Sequence, residues 1–124
     1  MSETAIPSLR QKEILDEYIK QLDLHIQDLK EGKAERAFEI RDLARILHVH
    51  PVHLSNTIKE VTGQSTCDFY EERLVQVSKE LLLETNLPIA QIAAQLTYDP
   101  SNFTKFFKHF TGMTPKQFRN LHKS

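Results

Sequence analysis

From Leu9 to about Glu31 apolar residues recur at three- and four-residue intervals, with Leu15, Ile19, Leu22, Ile26 and Leu29 on one face, and Gly32 follows. That spacing predicts an amphipathic helix stopped by a glycine. Residues 33–39 read as a polar link, and residues 1–7 as a frayed end. Further on, Ile40, Leu43, Ala44 and Leu47 mark a short helix broken at His48-Val49-His50. Pro51 suits the first position of a new helix, because its missing N–H would be unpaired there anyway, and that helix runs to Thr62 before Gly63 supplies a left-handed stop. Ile89–Leu96, a Thr97-Tyr98-Asp99 turn and a helix from Pro100 to Gly112, capped by Asp99, repeat the scheme. Ser65-Thr66-Cys67-Asp68 and Thr114-Pro115-Lys116-Gln117 are start signals for two more helices. The first of these should run from about Thr66 to Glu84, with Phe69, Tyr70, Leu74, Val77, Leu81 and Leu82 as its stripe. Nowhere do β-branched residues alternate over a strand-length run, so the expected class is all-α.

The repetition is literal. An ungapped offset of 49 residues aligns Ile40–Phe69 with Ile89–Phe118, and eight positions are identical, among them Ala44/Ala93, Pro51/Pro100, Lys59/Lys108, Thr62/Thr111, Gly63/Gly112 and Phe69/Phe118. Two copies are too few for a solenoid and read as a duplicated helix-turn-helix unit. The small Ala44 and Ala93 allow the second helix of each unit to cross closely over the first. The expected organisation is an N-terminal amphipathic helix and link (1–39), a first helix-turn-helix (40–65), a long linker helix (66–86), and a second helix-turn-helix with a C-terminal helix (87–124). Some 18 helical residues span roughly 27 Å, so the linker is expected to act as a strut.

Composition narrows the function. At 124 residues and 40% hydrophobic the chain can bury one core or two small ones. One cysteine excludes a disulfide framework, and three glycines leave no phosphate-cradling loop, so an enzyme is not expected. No apolar run is long enough for a membrane span or a secretory signal, and a soluble cytoplasmic protein is expected. The net charge of −1 hides an asymmetry: residues 1–39 hold six Lys/Arg against nine Asp/Glu, whereas from Tyr98 to Ser124 five basic residues, Lys105, Lys108, Lys116, Arg119 and Lys123, face one acid, Asp99.

The second helix of each unit then carries candidate chemistry. With Phe103, Phe106, Phe107 and Phe110 inward, the later helix turns out Ser101, Asn102, Lys105, Lys108 and His109, without a carboxylate. With Leu54, Ile58 and Val61 inward, the earlier one turns out Val52, His53, Ser55, Asn56 and Lys59, with Glu60 as the one repelling charge. A helix fits the major groove of DNA, about 12 Å wide, where Asn can pair with adenine, Lys with guanine or phosphate, and Ser with several bases.

The stretches Leu43-Ala44, Pro51-Val52-His53-Leu54-Ser55 and Lys59-Glu60-Val61-Thr62-Gly63, then Ser78–Thr85, Ile89–Ala93, Asp99–Lys108 and Thr111–Pro115, closely resemble the DNA-binding domain of AraC/XylS-type transcriptional regulators over about residues 40–121. The resemblance implies two helix-turn-helix subdomains joined by a long helix. Each would insert a recognition helix into adjacent major-groove faces of one double-stranded DNA site, about 34 Å apart, commonly to recruit RNA polymerase. By motif, Val52, Ser55 and Asn56 fall on reading positions of the first helix, and Ser101, Asn102 and Lys105 on those of the second. The family usually places glycine where His48 and Thr97 stand, so both turns are expected to bend differently. The strut's usual arginine falls on Leu74, with Arg73 beside it.

Rival readings are weaker. His48, His50 and His53 flank a turn with no acid or Cys to complete a metal site, and the expectation is no metal and no cofactor, with His50 and His53 near phosphates. Cys67 is expected to be partly buried rather than catalytic. The N-terminal stripe either packs on the first subdomain or serves self-association or a partner. The roughly 40 residues ahead of the first unit are too few for the effector-sensing domain of larger relatives. The alternative from another class is a helical adaptor that binds protein instead of DNA.

Overall fold

Local capping chemistry places nearly every helix end. The computed structural model describes residues 8–123, which form α1 (Leu9–Lys30), α2 (Ile40–Leu47), α3 (Pro51–Thr62), α4 (Thr66–Glu84), α5 (Ile89–Gln95), α6 (Pro100–Thr111) and α7 (Pro115–His122). Among the described residues there is no strand, as expected for an all-α chain. None of the helices is long and apolar enough to cross a membrane. The expected fraying of residues 1–7 lies outside the described residues.

The protein divides into two units: one holds the described residues up to Leu24 together with Phe38–Tyr70, the other His25–Ala37 together with the described residues from Glu71 onward. The first unit buries Ile14, Tyr18 and Leu22 of α1, Leu43 and Ala44 of α2, Leu54 and Ile58 of α3, and Phe69 of α4. Tyr18 packs edge-on against Phe69, and its hydroxyl donates to the Thr66 carbonyl at 3.2 Å. The second unit buries Ile26 and Leu29, Leu74, Val77, Leu81 and Leu82, Ile92 and Ala93, and Phe103, Phe107 and Phe118. Ser78 is also fully buried, its hydroxyl satisfied by the Leu74 carbonyl at 2.6 Å, which is how a polar residue sits in this core without penalty.

The face of α1 differs from the sequence expectation. Ile14 and Tyr18 are buried where Leu15 and Ile19 were expected, and those two are half-buried. The physical reason is that Tyr18 counts as apolar once its hydroxyl has a partner, and 14-18-22-25-29 is then the straighter helical stripe.

The duplication extends to individual hydrogen bonds. Thr62 Oγ1 donates to the Ile58 carbonyl at 2.7 Å and accepts from the Gln64 N–H at 3.0 Å. Thr111 Oγ1 does the same with Phe107 (2.9 Å) and Met113 (3.2 Å). Ser65 and Asp68 cap α4 reciprocally, as Thr114 and Gln117 cap α7. Gly63 and Gly112 end α3 and α6 at φ 77° and 79°, a conformation costly for any residue with a Cβ.

The two interhelical turns correct an expectation. His48 (φ 59°) and Thr97 (φ 67°) both adopt the left-handed conformation that glycine would take, so the turns keep a glycine-like bend rather than finding another. Two bonds hold each turn: the Val49 N–H donates to the Ala44 carbonyl (3.0 Å) and the His48 N–H to the Arg45 carbonyl. The Tyr98 N–H likewise donates to Ala93 (2.8 Å) and the Thr97 N–H to Ala94. Satisfying the last helical carbonyls offsets the left-handed strain.

Candidate nucleic-acid interface

The outward faces of α3 and α6 follow from which residues their cores take. On α3, Leu54, Thr57 and Ile58 are buried, which leaves Val52, His53, Asn56, Lys59 and Glu60 exposed and Ser55 half-buried. On α6, Phe103 and Phe107 are fully buried and Ser101, Asn102, Lys105, Lys108 and His109 are exposed. The placement of Phe110 is a correction: it is 42% exposed, beside His109, because its helix face looks past the core that holds Phe103 and Phe107. Phe106 is half-buried, stacked on Tyr98 at 5.1 Å between ring centres.

The N-termini of the two helices are capped by different residues. The Asp99 carboxylate accepts from the Ser101 and Asn102 N–H groups at 3.1 and 3.4 Å and places a negative charge at the start of α6. At α3 the cap is His50, whose Nδ1 accepts the Val52 N–H at 3.1 Å. His50 therefore serves as the N-cap of α3. The opening turn of α3 carries Val52, which is 60% exposed.

Other charged groups near α3 are partly committed. Lys59 Nζ donates to the Gly63 carbonyl at 3.1 Å, and Glu60 accepts from the Gln11 side-chain amide at 3.2 Å. The basic excess of the C-terminal stretch is also smaller at the surface than its sequence total. Arg119 donates to three backbone carbonyls, those of Leu82, Leu87 and Thr85, and Lys123 to Thr85 and Asn86. Lys105, Lys108 and Lys116 remain exposed. Neither Arg119 nor Lys123 could be assigned this role from sequence, since their partners are carbonyls more than 30 residues away. Cys67 is exposed, not partly buried as expected, because it stands on the outer face of the first turn of α4. Leu74, where the usual strut arginine was missed, is buried. Among the described residues no three His, Cys, Asp or Glu side chains come together as a metal site.

Comparison with known proteins fits this geometry. The family model described as "Helix-turn-helix domain" matches residues 43–121. The chain belongs to the AraC/XylS-type family of helix-turn-helix DNA-binding domains. It is 30% identical over 105 residues to the uncharacterized HTH-type transcriptional regulator YfiF of Bacillus subtilis, covering 85% of this chain and 32% of that protein. Against the arabinose operon regulatory protein of Salmonella typhimurium it is 26% identical over 117 residues, covering 90% of this chain and 42% of that one. The C-terminal domain of AraT, a response regulator from Geobacillus stearothermophilus, superposes with a TM-score of 0.71 at 28% identity, covering 86% of this chain and 87% of that one. This AraC-type chain therefore spans well under half the length of both curated relatives.

Proposed function

We propose that this AraC-type chain acts as a sequence-specific transcriptional regulator, with α3 and α6 as recognition helices in adjacent major-groove faces of double-stranded DNA. The observation that carries this reading is the outward face of α6, where Ser101, Asn102, Lys105, Lys108 and His109 are all exposed and none is a carboxylate. A face that offers hydrogen bonds and positive charge together suits phosphates and base edges, whereas an ordinary solvated helix mixes both signs. On α6, Asn102 and Lys105 read bases while Lys108 and His109 contact the backbone. On α3, Val52, Ser55 and Asn56 read bases, with His53 and Lys59 at the phosphates. The function is binding, not catalysis, and needs no cofactor. RNA polymerase is the protein partner that activation from such a site would engage. Self-association through α1 would have to use Leu9 and Leu24, the apolar residues that the helix leaves exposed.

The test is affinity as a function of salt. Groove binding releases counterions, so the affinity should fall steeply between about 50 and 200 mM salt, and removing one phosphate-contacting lysine should lower the log–log slope by about one. Lys105→Ala should cost on the order of 1–3 kcal/mol at a specific site and relax base choice at one position. An even loss across all DNA sequences would reassign Lys105 to phosphate. Affinity for a protein partner that ignores salt, with no measurable DNA binding, would favour the helical-adaptor reading.

A further inference from the structure

In the first unit a cavity of about 300 Å³ opens between α1, α2 and the start of α4, lined among others by Tyr18, Phe38, Glu39, Leu43 and Tyr70. The internal repeat says what stands at the same place in the second copy. At the offset of 49, Tyr70 corresponds to Arg119 and Phe38 to Leu87. There the Arg119 guanidinium donates to the carbonyls of Leu82 (2.9 Å), Leu87 (2.7 Å) and Thr85 (3.3 Å), so a cation occupies the space between the last helix of the copy and the segment that leads into its first. In the first copy a tyrosine stands where the second has that arginine, and the cavity lies beside it.

Its lining suits a cation with an apolar body. Tyr18, Phe38 and Tyr70 contribute aromatic rings, whose negative faces attract positive charge, and Leu43 contributes an aliphatic wall. Glu39 is exposed and pairs with Arg41 Nε at 3.1 Å. A solvent-exposed pair of this kind is weak, so the carboxylate can also favour a positive ligand and disfavour an anion. We propose that this cavity binds a small organic cation, such as an amidinium, guanidinium or quaternary ammonium compound, in the place that Arg119 fills in the second copy.

The experiment titrates the full chain, without DNA, with benzamidinium chloride and with benzamide, a neutral molecule of nearly the same shape, and follows the aromatic side-chain resonances. Benzamidinium is expected to bind at least about tenfold more tightly than benzamide and to shift the signals of Tyr18, Phe38 and Tyr70. Tyr70→Arg, which restores the second copy's solution, should abolish that binding. Tyr70→Leu, which removes the ring without supplying a charge, should weaken it severalfold in a chain whose helical circular dichroism is unchanged. Glu39→Gln keeps an oxygen for the start of α2 and should also weaken benzamidinium while leaving benzamide unaffected. Equal binding of the two compounds, no shift of the three rings at millimolar benzamidinium, or undiminished binding by both Tyr70 variants would overturn the proposal.

Discussion

Arg119 Nη1 donates to the Leu87 carbonyl at 2.7 Å, and through its Nε and Nη2 the same guanidinium also binds Leu82 and Thr85. One side chain on α7 thus holds the end of α4 and the segment before α5. Because a charged donor serving three carbonyls is lost at once, Arg119→Ala should destabilise the protein by about 2–3 kcal/mol in urea unfolding. Arg119→Lys should recover only part of this, since an ammonium lacks the planar fork. A loss below about 0.5 kcal/mol would mean the three bonds are replaced by water at no cost.

Left-handed residues with a Cβ at both turns leave room for improvement. Thr97→Gly should raise stability by about 1 kcal/mol, because relief of strain at a β-branched residue exceeds the added entropy of the unfolded chain. His48→Gly should gain less, as the residue is not β-branched. Chemical denaturation of the two variants measures this directly, and destabilisation by Thr97→Gly would show that the threonine's own contacts outweigh the strain.

Asp99 holds a negative charge at the start of the proposed recognition helix. Asp99→Asn keeps an acceptor for the Ser101 and Asn102 N–H groups while removing the charge. The expected result is a stability loss of about 0.3–1 kcal/mol from the weakened helix-dipole interaction. DNA affinity should rise a few-fold, seen in fluorescence anisotropy at low salt. Weaker DNA binding by a variant that stays folded would place the Asp99 charge outside the DNA's reach.

Lys30 has a pKa above its ordinary value of 10.5, first because Nζ donates to Glu80 at 2.9 Å and then through attraction to Glu80 and Glu84, with partial burial opposing. A lysine whose folded-state pKa is raised contributes fully below its unfolded value and loses that contribution as pH rises through the folded one. Lys30→Met should therefore cost about 0.5–1 kcal/mol at neutral pH, reduced by salt. The difference from the parent protein should shrink as the pH is raised beyond 10.5, the ordinary lysine value. A difference that is constant with pH would mean that the variant removes packing rather than charge.

The helix order and both turn positions were legible because proline, glycine and capping residues act locally: Pro51, Pro100, Gly63, Gly112 and Asp99 each sit where their own chemistry requires. The outward residues of α3 and α6 were legible for a related reason, since burial of Leu54 and Ile58, or Phe103 and Phe107, leaves a fixed opposite face. What escaped depends on distant partners. Tyr18 joins the core with its hydroxyl bonded to Thr66 and its ring against Phe69, and Arg119 and Lys123 are half-buried, bonded to oxygens at and beyond the end of α4. His48 and Thr97 show a limit of another kind, because hydrogen bonding imposed a backbone that their residue types disfavour.

The central claim is that α3 and α6 each read bases. Selection of bound sequences from a random double-stranded DNA pool, repeated with Asn56→Ala and with Lys105→Ala, tests it most directly. The account expects a two-part motif whose parts lie about one helical turn apart, with Asn56→Ala erasing preference in one part and Lys105→Ala in the other. No enrichment over the starting pool, or a single short motif indifferent to Asn56→Ala, would contradict it.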